Sequence, residues 1–369
     1  MLGRTLRLLV WIASVLAAIG YVSYAVRGLP GAAPRDPIEA TILDHASRFA
    51  VGESPYLDPG HQPGAPLMPV FPLVIAPLVA VFDAQPWVPR ALNLLAVLLT
   101  AAVVGWVVRK ETGNGTLGAG SAGMWLMAQI LTNVPRAAAH PETLMLLFAM
   151  LGALALRYGT GLPTALAGAV ALALAAFTHP TGLFFAIAGI AHLAWMERRR
   201  LIAYATAVGL LVAGAHVACS LAWGPWFNYA AWDRLFLLMR FDPAELVGFV
   251  GAQLVGTLGM MSLSLLLAFA LPVKPWRGAT GLWTWMGFAA LLAGMITSQS
   301  TLSPGDALRP AAMLLAVVGP ISMDRVTRHL SVWPGSSRLG GQRVIHAALA
   351  IQFLALLAHI APAVVLAMV

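Results

Sequence analysis

Long apolar runs recur along nearly the whole chain, and nothing else limits its fold as strongly. A hydrocarbon core of about 30 Å takes about 20 apolar residues per helix, so such runs read as membrane-spanning helices. Eleven are expected, give or take two: 8–27, 88–108, 116–134, 143–157, 163–178, 182–196, 201–222, 246–271, 281–298, 310–322 and 346–366. Charged residues make up only 10% of the 369. Soluble domains carry about 25%, so a soluble class is excluded. The fold class is therefore all-α, a polytopic membrane protein forming a single integral membrane domain over 1–369. The apolar core of Leu8 to Val26 is long and no clear small-x-small cleavage site follows it, so the first run is expected to stay as an anchor. Cys219 is the single cysteine, which excludes an intrachain disulfide and a cysteine-cluster metal site.

Charge sets the sidedness. With the N-terminus inside, the inner loops hold Arg4, Arg7, Arg109, Lys110, Arg157, Arg198, Arg199, Arg200, Lys274, Arg277, Arg325, Arg328, Arg338 and Arg343. These are 14 of the 22 basic residues. The net charge of +8 is thus the signature of positive-inside loops rather than of a nucleic-acid partner. The acids fall the other way. Only Glu111, Glu197 and Asp324 lie inside, leaving 11 of 14 outside. Acids barely influence insertion, so their clustering calls for another cause. This sidedness requires 66–82 not to span. Pro66, Pro69, Pro72 and Pro77 agree, since each removes a backbone donor that lipid cannot replace. A kinked interfacial helix within the first outer loop, 28–87, is expected there.

Five constellations on the outer side hold the candidate residues. Asp36 and Glu39 sit on a turn between Pro34 and an amphipathic segment in which Ile38, Ile42, Leu43, Ala46 and Phe49 share a face. A carboxylate there serves either as a general base toward a hydroxyl or as a helix cap. Arg136 with His140-Pro141-Glu142 returns to the same side, to contact an acceptor or donor, or to favour the start of a helix. The acids leave room for a divalent cation, Mg or Mn, although no metal ligand is assigned. His179-Pro180 lies at a tight turn between short spans, suited to a phosphate or sugar contact or to a purely structural role. Trp226 and Tyr229 belong to an aromatic outer loop, 223–245, fit to stack on sugars or to anchor at the interface. Arg309 opens the tenth span, where it either binds a lipid phosphate or snorkels to the headgroups. No Walker A, GxGxxG, GxSxG or HExxH pattern is present.

The order of these features resembles the GT-C glycosyltransferases, a superfamily that includes protein O-mannosyltransferases and aminoarabinose transferases. One span precedes the acidic turn at Asp36 and Glu39. Gly52-Glu53-Ser54-Pro55-Tyr56 is similar to a G-x-x-P-Y stretch, and Pro69 to Leu78 to an interfacial P-P-L-Y-P-L-L-L-A-P-L helix. Val88-Pro89-Arg90-Ala91-Leu92-Asn93-Leu94-Leu95 resembles A-R-L-L-N-L-L. Arg136 to Leu144 resembles R-P-D-x-L with Glu142 as the acid, and Phe177 to Gly182 resembles L-T-K-P-T-G with His179 for Lys. The likeness covers 1–200, taken as a GT-C-like core; 201–369 supply variable C-terminal helices. Leu67 and Met68 stand where some relatives place a basic residue, leaving His61 as a substitute.

The resemblance implies an inverting transfer of a monosaccharide from a polyprenyl phosphate to a hydroxyl of a glycan, lipid or protein. It takes Asp36 as the base, with Glu39 and Glu142 in support. Arg309, His179 and Arg136 are candidates for the donor phosphate, and His140, Trp226 and Tyr229 for the acceptor. High Ala, Gly and Arg usage suggests a GC-rich bacterium, with the enzyme in the inner (plasma) membrane and its site facing outward. The rival classes are a transporter or flippase of lipid-linked sugars and a non-catalytic scaffold. A transporter would place acids at mid-membrane depth, and no acid falls in the middle of an expected span.

Overall fold

Each of the eleven expected runs is helical over its described residues in a computed structural model. The structure describes residues 2–31, 33–58, 60, 65–133, 138–270, 278, 280–300, 304–330 and 338–368. The first long loop follows α1 (Leu2–Gly28) and contains α2 (Pro37–Ala50) and α3 (Val70–Phe82). Then come α4 (Trp87–Thr112), α5 (Gly115–Asn133), α6 (Pro141–Tyr158), α7 (Gly161–Thr178), α8 (Gly182–Met196) and α9 (Arg198–Trp223). The aromatic loop after α9 holds the short α10 (Pro225–Asn228), a π-helical stretch (Tyr229–Asp233) and α11 (Arg234–Leu237). A continuous helical rod follows, made of α12 (Pro243–Gly248), a π-helical stretch (Phe249–Thr257) and α13 (Leu258–Ala270). The chain ends with α14 (Gly281–Ser298), a 3₁₀ turn (Pro304–Ala307), α15 (Leu308–Leu330) and α16 (Arg338–Met368). Among the described residues there is no β-strand, only an isolated bridge between Met239 and Ser300.

Among the described residues, eight helical segments are long and apolar enough to cross a membrane, fewer than the eleven expected. The runs in α5, α8 and α15 do not qualify by length and composition alone. The 15-residue α8 is short, α5 uses several positions for Gly, Ser and Gln, and α15 carries Arg309, Asp324, Arg325 and Arg328. All three pack inside the bundle. The expected inner loop 323–345 is also largely helical, because α15 runs on to Leu330 and α16 begins at Arg338. Charged residues are costly in lipid, yet they do not end a helix that already satisfies its own backbone.

The helix α15 is the axis of the bundle. Every residue from Leu308 to Met323 is buried, as a helix surrounded on all sides requires. It packs against α4, α5, α6, α13, α14 and α16. The crossing of α4 and α5 depends on small residues, since a Cβ on Gly118 would lie 2.5 Å from the Gly105 carbonyl oxygen. On α2 the expected apolar face is buried at Ile38, Ile42, Leu43 and Ala46. It packs on α3. With 13 residues, α3 extends only about 20 Å. It is too short to span a hydrocarbon core. It buries Phe71, Ile75 and Val79 and exposes Leu73, Leu78, Val81 and Phe82, so its outward face is apolar rather than polar.

Candidate active site

Asp36 caps α2 and does more than cap it. Its backbone is extended, and Pro37 at the first helical position presets the turn. Its Oδ1 accepts the Glu39 backbone N–H at 2.8 Å. Its Oδ2 faces His140 Nε2, also at 2.8 Å. The two alternatives for this carboxylate therefore coexist on its two oxygens.

His140 lies just before α6 and joins the two halves of the chain. On its other side, Nδ1 is 2.6 Å from Asp306 Oδ2 in the 3₁₀ turn. Asp306 Oδ1 in turn lies 3.0 Å from Arg309 Nη2. Arg309 Nε donates to Thr132 Oγ1 at 3.2 Å. The result is a buried line, Asp36–His140–Asp306–Arg309, of alternating charge. Arg309 is only 1% exposed, and its Nη1 has no hydrogen-bond partner among the described residues. A buried guanidinium N–H left unpaired is costly, and an anion is the partner that would satisfy it.

Glu39 is committed elsewhere. It is 0% exposed and takes a two-pronged contact from Arg90, Nε to Oε1 at 2.9 Å and Nη2 to Oε2 at 2.8 Å. It also accepts the Arg35 N–H at 2.8 Å and the Ala139 N–H at 3.1 Å. Arg90 uses its remaining N–H groups on the carbonyls of Gly28, Leu29, Pro30 and Ala33. The pair thus holds the α1–α2 connection against α4 and against the strand-like residues before α6. Arg90 was visible only as part of a motif. Its signal was an ionisable residue at the head of an apolar run.

Glu142 and His179 meet across the bundle, with His179 Nε2 3.4 Å from Glu142 Oε1. The other carboxylate oxygen, Glu142 Oε2, is buried without a hydrogen-bond partner among the described residues. Both residues line a narrow cavity with Leu67, Met68, Ala231 and Ser300. The aromatic loop reaches this cavity through Ala231 and Leu235, whereas Trp226 and Tyr229 pack edge to face on each other and are not among its lining residues. Phe227 is the buried aromatic of that loop, stacked against Tyr56 and Trp223. Arg136 and His61 lie outside the described residues. Asp306 received no role from the sequence, although its spacing of three from Arg309 suits an ion pair at the start of a helix.

Electrostatics reinforce the geometry. Burial pushes the His140 imidazole down, but the charge and hydrogen bond of Asp306, with the bond to Asp36, raise it to about 10. Burial alone would raise the Asp36 carboxyl. The hydrogen bond and charge of His140, with the Glu39 amide, outweigh that and hold it below its ordinary value. At neutral pH the line is carboxylate, imidazolium, carboxylate, guanidinium. A folded pKa above the unfolded one stabilises fully below the unfolded value and is lost as pH climbs through the folded value. The His140 contribution is therefore expected to disappear as pH rises through about 10. The Asp36 contribution has the opposite sign and is lost in acid, below the usual carboxylate range. Thermal melts across pH should show an alkaline fall that His140→Gln no longer displays.

His140, Glu142 and Asp306 each offer a ligand atom, and these lie within 4.8 Å of one another. Two carboxylates and an imidazole form a donor set that fits a divalent cation such as Mn. The cation and the Nδ1 proton would compete for one nitrogen.

The apolar helices and the acidic site under a two-helix loop define a multi-pass membrane protein, and its fold is shared with solved structures of membrane transferases. Among solved structures the chain is similar to ArnT from Cupriavidus metallidurans in the apo state, with a TM-score of 0.59 and 14% identity, over 94% of this chain and 76% of that one. ArnT bound to undecaprenyl phosphate gives 0.58 and 13%, over 94% and 77%. The arabinosyltransferase EmbB from Mycobacterium smegmatis gives 0.52 and 18%, over 86% of this chain and 30% of that longer one. No family model and no curated protein sequence matches the chain.

Proposed function

We propose that the protein is an inverting glycosyltransferase. It moves a monosaccharide from a polyprenyl-phosphate donor to a hydroxyl acceptor on the outer face of a bacterial inner membrane. The observation that carries this reading is the buried Asp36–His140–Asp306–Arg309 line, which places a held carboxylate and an under-satisfied guanidinium in one site. The fold shared with ArnT, whose structure is known with undecaprenyl phosphate, supports the donor class.

The chemistry follows from the charges. The acceptor oxygen attacks the anomeric carbon, and the bond from that carbon to the phosphate oxygen breaks. Asp36 takes the hydroxyl proton on a carboxylate lone pair left free by its two hydrogen bonds. The lipid phosphate leaves as an anion and needs positive charge rather than an acid. Arg309 supplies it, with His179 beside Glu142. Glu39 is a positioning residue held by Arg90, and Glu142, whose Oε2 accepts no hydrogen bond among the described residues although it lies 3.9 Å from His140 Nδ1, is the group available to a sugar hydroxyl. A divalent cation on His140, Glu142 and Asp306 would add positive charge at the same place.

The test is transfer from a synthetic polyprenyl-phosphate sugar by purified protein in proteoliposomes; no transfer with any such donor overturns the assignment. Arg309→Gln is expected to raise the donor KM and to lower kcat/KM by roughly 10²-fold, the scale of one lost charge-assisted contact to a developing anion. An unchanged donor KM would remove Arg309 from the phosphate. EDTA is expected to leave the rate within about twofold, since His140 and Arg309 already balance the carboxylates. A loss restored by Mn would assign the three donors to a cation.

A further inference from the structure

We propose that the end of the bundle remote from the acidic site carries a second binding site, one for a phosphate group. The two ends are joined by the same helices. Arg90 and Thr112 are 22 residues apart on α4, about 33 Å along its axis. At the Thr112 end, the starts of α1, α5 and α16 and the end of α15 surround a cavity of about 640 Å³. This lies within the roughly 300–1,000 Å³ span of small-molecule sites.

Three observations indicate what it would take. First, His346 lines the cavity at 2% exposure, and its Nε2 has no hydrogen-bond partner among the described residues. A buried imidazole nitrogen without a partner is costly unless a ligand satisfies it. Second, the lining carries the guanidinium groups of Arg7 and Arg328 against one carboxylate, Asp324. That carboxylate is already 2.7 Å from Arg328 Nε, so the cavity keeps an excess of positive charge. Arg328 is itself held in place, with Nη2 donating to the Thr112 carbonyl at 3.0 Å. Third, Gly113 and Gly115 form part of the wall, and a Cβ on either would meet nothing within 4 Å. The start of the 19-residue α5 is therefore left open, with its positive dipole end toward the cavity. Its first amides are capped by Asn114, so the helix adds field, while Arg7 and His346 supply donors.

One held guanidinium fork at Arg328, a second guanidinium at Arg7 and the imidazole of His346 match the several oxygens of a phosphate better than a carboxylate or a neutral sugar. The phosphate belongs either to an anionic lipid headgroup in the leaflet at this end or to a free phosphate. The assignment is independent of the proposed transferase activity.

The test uses full-length protein in phosphatidylcholine nanodiscs, titrated with inorganic phosphate or with increasing phosphatidylglycerol, and followed by thermal shift and by lipid retention in native mass spectrometry. Wild type is expected to be stabilised by at least one probe. Arg7→Gln/His346→Gln is expected to weaken that response by about tenfold in apparent Kd. Arg7 is exposed, so Arg7→Gln alone provides a folded variant, expected to weaken it by about fivefold. A response to phosphatidylglycerol alone assigns a lipid headgroup; a response to inorganic phosphate assigns a small anion. No response to either probe, or an equal response in wild type and Arg7→Gln, overturns the site.

Discussion

Asp36→Asn is expected to lower transfer by about 10²- to 10⁴-fold, the usual contribution of a positioned base, while the protein stays folded. The substitution separates the two jobs of Asp36: the oxygen that caps the helix is kept, and an amide NH2 replaces the oxygen that accepts from His140 Nε2. Asparagine caps a helix as well as aspartate does, so the bond from the Glu39 amide to Oδ1 survives. The negative charge facing His140 does not. His140 keeps Asp306 on its other nitrogen, so the imidazole retains one of its two anionic partners. Asp36→Ala should lose the same activity and in addition about 1 kcal/mol from the missing cap. Initial rates with a polyprenyl-phosphate sugar, set beside thermal melts of the same preparations, separate the two effects. Wild-type transfer by a well-folded Asp36→Asn protein would end the case for Asp36 as the base and return it to the role of a cap.

Much of this site is legible in the sequence. The apolar runs placed the helices, and the turns between them placed Asp36, His140, Glu142, His179 and Arg309 on one side. Those residues do converge, with Asp36 and His140 in contact across 104 positions of sequence. Their partners were less visible. Glu39 and Arg90 are 51 residues apart, and nothing local to either says that a neutralising group will arrive from a different helix. Glu39 looked like an accessory acid because an isolated carboxylate in sequence has no visible neutraliser. Asp306 was passed over for a related reason: its value lies in bridging His140 to Arg309, which only the packing of the 3₁₀ turn against α6 reveals. The π-helical stretch Phe249–Thr257 was also hidden, since hydropathy reports apolarity and not hydrogen-bond register. Gln352 helps to account for it, donating to the Thr257 carbonyl and accepting the Met260 N–H where the ladder shifts. The aromatic loop shows the reverse case. Trp226 and Tyr229 stood out by residue type, yet Ala231 and Leu235 reach the cavity. Which side of a short helix faces inward is decided by its neighbours.

The buried Glu39–Arg90 pair ties the connection between α1 and α2 to α4, so the largest stability effect is expected from breaking it. Arg90→Met leaves Glu39 buried with two backbone N–H groups and no cation. It also strips the donor from the carbonyls of Gly28, Leu29, Pro30 and Ala33. Removing one partner of a buried pair typically costs about 3–5 kcal/mol, because the charge left behind has no compensation. The expected result is a lower melting temperature and faster proteolysis of the connection between α1 and α2. Activity should fall with it, since that connection carries Asp36. The double variant Glu39→Met/Arg90→Met distinguishes a lost charge pair from lost packing. Replacing both partners with apolar groups is often neutral or stabilising, so most of the melting temperature should return. Transfer should not, because the carbonyls between Gly28 and Ala33 still lack their donor and Asp36 is no longer held against His140. Recovery of both in the double variant would show that Glu39 and Arg90 position nothing. A single Arg90→Met variant that melts at the wild-type temperature would show that the pair does not hold the loop at all.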